Sequence, residues 1–158
     1  MKIKKVKDEI YIKKKAESLT AVSFLKALKE NLDFDLAFKI ASDAFTNYMT
    51  ELYENVLSET KKGTQERFNV FRKFYENYAT KTPYLKIIES SESNLKVRYE
   101  RCPLFEILND LELGDLAYSF CLSDPAFTKK VLPGVDFSRK NEISKGAPYC
   151  DNTWKFLL

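Results

Sequence analysis

The sequence predicts an α+β domain: N-terminal helices packed on an antiparallel sheet of about four strands, built from two hairpins with two short helices between them. Two observations predict it. Apolar residues recur at helical spacing up to Lys81, then at a period near two in short runs beyond Thr82-Pro83. Those runs come in two pairs, each joined by a turn-rich segment, which is the pattern of hairpins.

The elements follow in order. Val22, Leu25, Leu28 and Leu32, with Phe24, predict a helix from Leu19 to Leu32 that Ser18 or Thr20 would cap. Asp33 or Asp35 caps a second helix to near Ser58, whose expected stripe is Phe34, Phe38, Ala41, Phe45, Tyr48, Met49, Leu52 and Val56. After the turn at Lys61-Lys62-Gly63, Thr64 caps a third, with Phe68, Phe71, Tyr75 and Tyr78 inward. These aromatic stripes hold helical register, so they read as core. Thr82 ends the helices, because a residue before proline avoids the α region.

Tyr84–Glu89 and Leu95–Tyr99 form the first hairpin around Ser90–Asn94. Pro103 opens a short helix to about Leu111, and Leu113, Leu116, Ala117, Phe120 and Cys121 line the inner face of the next. Ser123-Asp124-Pro125 breaks or restarts that helix. In the closing hairpin Val135, Phe137 and Ile143 share one face of the first strand, Lys145-Gly146-Ala147-Pro148 turns the chain, and Cys150, Trp154 and Phe156 share the apolar face of the last.

Length and charge bound the function. At 158 residues the chain has the size of one domain and can bury a core without disulfides. Residues 1–15 read as a basic N-terminal arm with seven lysines against Asp8 and Glu9, and 16–158 as a single α+β domain. With 26 basic and 23 acidic residues the net charge is +3, too balanced for a nucleic-acid surface, and Tyr11 is the arm's one aromatic. No apolar run approaches the ~20 residues of a membrane span, and Lys2–Lys7 precede no apolar signal segment. The expected location is the cytoplasm and the expected partner a small molecule, with no nucleic acid and no membrane. The aromatic helices are the candidate face for a homodimer.

Three cysteines and no histidine shape the chemistry. In a reducing compartment Cys102, Cys121 and Cys150 are thiols: core residues, nucleophiles or metal ligands. Without histidine there is no Ser-His or Cys-His dyad. Cys102 precedes Pro103 at a helix N-terminus, where the macrodipole lowers a thiol pKa. Cys121 keeps an apolar register, so its first reading is a small buried hydrophobe. Thiols near Asp124 and Asp151 could supply a nucleophile with a base, or ligands for a soft metal such as zinc, with Cys102, Cys121 and Cys150 as the candidate set. Zinc is the candidate cofactor; the spacing lacks the CxxC pattern of a dedicated zinc site.

At these residues the sequence resembles a known family. Arg101-Cys102-Pro103-Leu104-Phe105-Glu106, then Glu112-Leu113-Gly114-Asp115-Leu116-Ala117, then Cys121 and Asp124, then Gly146-Ala147-Pro148-Tyr149-Cys150-Asp151, look like the L-2-amino-thiazoline-4-carboxylic acid hydrolase family. The likeness covers about Leu95 to Phe156, within the region 82–158. The last strand is also loosely similar to that of four-vinyl-reductase domains, which would imply a small-ligand-binding fold without catalysis. The first resemblance implies hydrolysis at the amidine carbon of a cyclic amidine, expected as a C–N bond hydrolase yielding N-carbamoyl-cysteine. It implies a site drawn from Cys102, Glu106, Cys121, Asp124, Cys150 and Asp151, with Cys102, Asp124, Cys150 and Asp151 as the catalytic candidates. Arg101 or Arg139 would hold the substrate carboxylate, and Glu106 and Trp154 complete the expected substrate contacts. Attack by a thiolate and attack by metal-bound water both fit.

Overall fold

The computed structural model describes residues 8–157. Helix α1 (Glu9–Asn31) begins at the capping Asp8, whose carboxylate accepts the Tyr11 amide at 2.9 Å. The helix expected from Leu19 therefore starts ten residues earlier, and the second half of the expected arm is helical. Its first seven residues lie outside the described part. Ser18, expected as a cap, sits mid-helix and bonds back to the Lys14 carbonyl at 2.7 Å.

Helix α2 (Phe34–Val56) is capped by Asp33, and α3 (Gln65–Lys81) by Thr64 after Gly63 takes the left-handed turn at φ 73°. The buried face of α2 matches the expected stripe in part: Ala41 is buried and Phe38, Met49 and Val56 pack against the core. Ala37, Ala41, Thr46 and Tyr53 face inward, whereas Phe34 is 49% and Tyr48 59% exposed. Small side chains let the helix approach its neighbours closely, and Tyr53 enters the core because its hydroxyl bonds the Tyr75 hydroxyl at 2.9 Å. On α3, Phe68, Phe71 and Tyr75 are buried as expected and Tyr78 is exposed.

Strands β1 (Leu85–Ser90) and β2 (Asn94–Tyr99) form the first hairpin. Three α-helices follow instead of two: α4 (Pro103–Asp110), α5 (Ala117–Cys121) and α6 (Ser123–Val131), with a 3-10 turn at Gly114–Leu116. Strand β3 (Val135–Arg139) ends before Ile143, which lies in a 3-10 turn (Ile143–Lys145), and β4 (Cys150–Phe156) closes the chain. The Asp151 carboxylate accepts both the Lys140 and Asn141 amides, which bends the chain out of the ladder at that point.

The sheet is fully antiparallel in the order β1-β2-β4-β3, so the last strand lies inside it and joins the two hairpins. One face carries Lys86, Lys96, Asp136, Asp151 and Lys155 away from the core. The other carries Leu95, Val97, Trp154 and Phe156, packed under Phe68, Phe71, Phe127 and Val131. Full burial of each large side chain there contributes about 1.5–3 kcal/mol. A second cluster joins Tyr11, Val22 and Leu25 of α1 to Ala37, Ala41, Ile107, Leu108 and Leu116. Among the described residues no helix is long and apolar enough to cross a membrane.

Candidate functional site

Beside the second cluster the chain forms a small apolar cavity of about 40 Å³. Its walls include all three thiols: Cys102 at the N-cap of α4, Cys121 at the end of α5 and Cys150 at the start of β4. Leu108, Phe120, Ile143 and Ser144 help to close it. The arrangement follows from local structure. Pro103 starts α4 right after Cys102, the restart at Ser123 ends α5 at Cys121, and strand pairing sets Cys150 opposite Tyr99. Cys121 Sγ lies 3.3 Å from Ser144 Oγ, and the Ile143 amide donates to Cys150 Sγ at 3.2 Å.

Burial dominates the state of these thiols. It pushes Cys102 up to about 12, overcoming the Phe105 amide that favours the thiolate, and it raises Cys121 and Cys150 as well. The helix N-terminus at Cys102 therefore does not produce the activated thiolate expected there. Desolvation costs the anion more than one turn of helix dipole returns.

A charged cluster lies behind the Cys121 wall of the cavity. Asp124, in the first turn of α6, accepts Arg139 Nη1 at 2.8 Å and Asn152 Nδ2 at 3.2 Å through Oδ2. Burial still raises its pKa from 3.8 to about 6, although Arg139 and Asn152 pull the other way. Arg139 Nη2 donates to the Cys121 carbonyl at 2.7 Å, which ties the pair to the cavity wall. Glu142 places Oε2 3.4 Å from Arg139 Nη2 and Oε1 3.0 Å from Lys145 Nζ, and Lys145 also reaches the Tyr118 hydroxyl at 3.0 Å.

Other expected site residues stand elsewhere. Asp151 lies on the opposite face of β4 from Cys150 and Asn152. Its carboxylate is spent on the Lys140 and Asn141 amides and on Asn141 Nδ2, so it shapes the β3–β4 connection and does not face the cavity. Trp154 is fully buried and donates to Thr128 Oγ1 at 3.0 Å, so it has no surface on which to meet a substrate. Arg101 is held by Glu106 through two bonds of 2.6 and 2.7 Å and by Asp8 at 2.5 Å, which leaves neither partner as an open receptor and staples α1 to α4. Arg139 already faces two internal carboxylates.

The model of the L-2-amino-thiazoline-4-carboxylic acid hydrolase family matches residues 13–154. The chain belongs to that family. No curated protein matches it. The match runs from α1 through the first helices to Trp154, so this hydrolase family spans both clusters and not only the C-terminal region that carries the sequence likeness. In this family member the cysteines of the Cys-Pro, Cys-x-x-Asp and Gly-x-x-x-Cys segments line one cavity, and Asp124 lies behind it, bonded to Arg139. Their thiols share walls but not a coordination centre: among the described residues no three cysteine, aspartate or glutamate side chains group as metal ligands. The expected zinc set is therefore not arranged as one.

Two residues of the cluster escaped the sequence reading. Asn152 is 3% exposed on an otherwise apolar face, and a polar residue at that register was the available signal. Glu142 reads as a strand-surface residue, and only the 3-10 turn at Ile143–Lys145 brings it inward.

Proposed function

We propose that this chain opens the ring of a cyclic amidine of the 2-aminothiazoline-4-carboxylate kind by adding water at the amidine carbon. The observation that carries the reading is the convergence of three thiols on one cavity, whose Cys121 wall is tied by Arg139 to the buried Asp124–Arg139–Asn152 cluster behind it. A carboxyl group with a pKa near 6 is poised to take a proton from water and return it, the role that histidine fills in other hydrolases. Half-buried thiols that stay protonated are poor nucleophiles. They suit a wall against which a sulfur-containing ring rests, so attack by water is favoured over attack by Cys102 or Cys150.

Atom balance refines the bond that breaks. In N-carbamoyl-cysteine the former amidine carbon keeps both nitrogens and gains oxygen. Water therefore adds across C=N, one proton passes to nitrogen, and the ring C–S bond opens with sulfur leaving as a thiol. The reaction class is ring opening at the amidine carbon, not the C–N cleavage expected from the resemblance.

At about 40 Å³ the cavity is small. Ligand sites are about 300 Å³ or larger. Entry of a ring requires the cavity to widen. A small cavity walled by protonated thiols also favours a second reading, a ligand-binding domain without turnover.

The test is incubation with 2-aminothiazoline-4-carboxylate while free thiol and the carbamoyl product are followed. The wild-type chain is expected to release both, and Asp124→Asn to lower kcat by about a hundredfold or more. Ligand binding without ring opening would select the second reading, and equal turnover in Asp124→Asn would refute the role of Asp124.

A further inference from the structure

Cys121 and Cys150 hold their sulfur atoms against two consecutive residues of one short turn. Cys121 Sγ lies 3.3 Å from Ser144 Oγ, and the Ile143 amide donates to Cys150 Sγ at 3.2 Å. Both thiols line the same cavity of about 40 Å³, and both residues are half-buried, so part of each meets solvent. Each also stands at the end of an element: Cys121 closes α5 and Cys150 opens β4. Helix ends fray, so the backbone there can settle into disulfide geometry, which wants Cα atoms about 4.4–6.8 Å apart. The three thiols of the cavity differ in state. Burial raises all of them, Cys102 to about 12. The Ser144 hydroxyl and the Arg139 guanidinium pull Cys121 back down, and the Ile143 amide and Arg139 do the same for Cys150. The charge of Cys121 raises Cys102 and Cys150 in turn, so Cys121 is the first to lose its proton.

We propose that Cys121 and Cys150 form a reversible modification site, oxidised by a low-molecular-weight disulfide to an intrachain Cys121–Cys150 disulfide. Cys121, as its thiolate, attacks one sulfur of the small disulfide. The S–S bond of the reagent breaks, a mixed disulfide forms on Cys121, and the departing half takes up a proton as a thiol. Cys150 then gives up its proton and attacks Cys121 Sγ, which expels the other half as a second thiol. Two protein thiols are oxidised, one small disulfide is reduced, and the two cysteine protons end on the two released thiols. Few molecules carry the thiolate at neutral pH, so the first step is slow. The second is intramolecular and therefore favoured. Cys102 stays a thiol, because burial keeps it protonated. Excess small thiol reverses both steps, so the pair reports the thiol–disulfide balance around the protein. The inference concerns the thiols alone and holds whether or not the chain opens a ring.

The experiment is incubation of the full native chain with bis(2-hydroxyethyl) disulfide, then intact mass and peptide mapping after the remaining thiols are alkylated in urea. A glutamate-specific protease cuts between Cys102 and Cys121 at Glu106 and Glu112, and trypsin cuts between Cys121 and Cys150 at Lys129 and Lys145. Each possible pairing therefore gives its own fragment. Before alkylation the wild-type chain is expected to lose about 2 Da, the two thiol hydrogens. The map should then show the fragment joining Cys121 to Cys150, with the alkyl group on Cys102. Cys102→Ser should form the same link, Cys150→Ser should stop at the mixed disulfide on Cys121, and Cys121→Ser should form no link. Added small thiol should restore the starting mass. A link through Cys102, a wild-type chain that stops at the mixed disulfide, or no mass change while a cysteine-containing control peptide does exchange would each overturn the proposal. The wild-type map decides the pairing even if a serine variant does not fold.

Discussion

Asp124 should leave a distinct mark on the pH dependence of stability. Its pKa is raised from the ordinary 3.8 to about 6, mainly because burial disfavours the charged form. A group whose folded pKa is raised contributes stability that is fully present below its unfolded pKa and is lost as pH rises through its folded pKa. The window therefore runs from near pH 4 to just above pH 6. A rise from 3.8 to about 6 corresponds to roughly 3 kcal/mol, and the side chain is only 19% exposed, so solvent screening removes little of it. Asp8, Glu54 and Asp151 have lowered pKa values and act with the opposite sign, losing stability on acidification. Comparison with Asp124→Asn cancels them. Urea unfolding of both proteins at several pH values from 4 to 7 supplies the measurement. The stability difference, wild type minus variant, is expected to fall by about 3 kcal/mol across the window. A flat difference, or one that rises with pH, would refute the view of Asp124 as a carboxyl group held partly protonated near neutrality.

Three further outcomes are expected of the protein. With burial pushing Cys102 up to about 12, native Cys102 should react with iodoacetamide at pH 7 at least about a hundredfold more slowly than in urea; peptide mapping that finds it labelled at the unfolded rate would contradict the closed cavity. Arg67, 2% exposed, donates to the carbonyls of Val131, Leu57 and Thr60 and to Glu54. Arg67→Met should destabilise by at least about 3 kcal/mol and lower Tm by about 6–12 °C, and a loss under about 1 kcal/mol in a thermal melt would show those carbonyls find other partners. Asp151→Ala frees the Lys140 and Asn141 amides, so hydrogen exchange should accelerate at Ile143–Lys145 while β2 stays protected; unchanged exchange would mean that other contacts hold this wall of the cavity.

The succession of elements was readable because period and punctuation are local. Asp33, Thr64 and Pro103 cap or open their helices where side-chain chemistry says they should. Burial on α2 was misread because Phe34 and Tyr48 are as apolar in sequence as the residues that truly face inward. Besides the expected Ala41 the helix packs through Ala37, whose small size matters only once a neighbour is present. The early start of α1 was hidden because Lys13–Lys15 suggest a solvated run, although a lysine-rich helix face is equally solvated. The same blindness affects the site. Trp154 shares a strand face with Cys150, yet it sits deep under Phe71 and Phe137, while Asn152 between them touches Asp124.

By itself the amino-acid sequence determined the α+β class, the two hairpins, the absence of histidine chemistry and the segments that carry the family likeness, since each depends on residue type and short-range spacing. Only the tertiary structure decided that the thiols stay protonated, that Asp124 carries a raised pKa, that Asp151 and Arg101 are spent on internal partners, and that Glu142 joins the cluster. Those properties depend on how much water and which charges surround a group. Water and charge are brought there by residues far apart in the chain, so no local pattern encodes them.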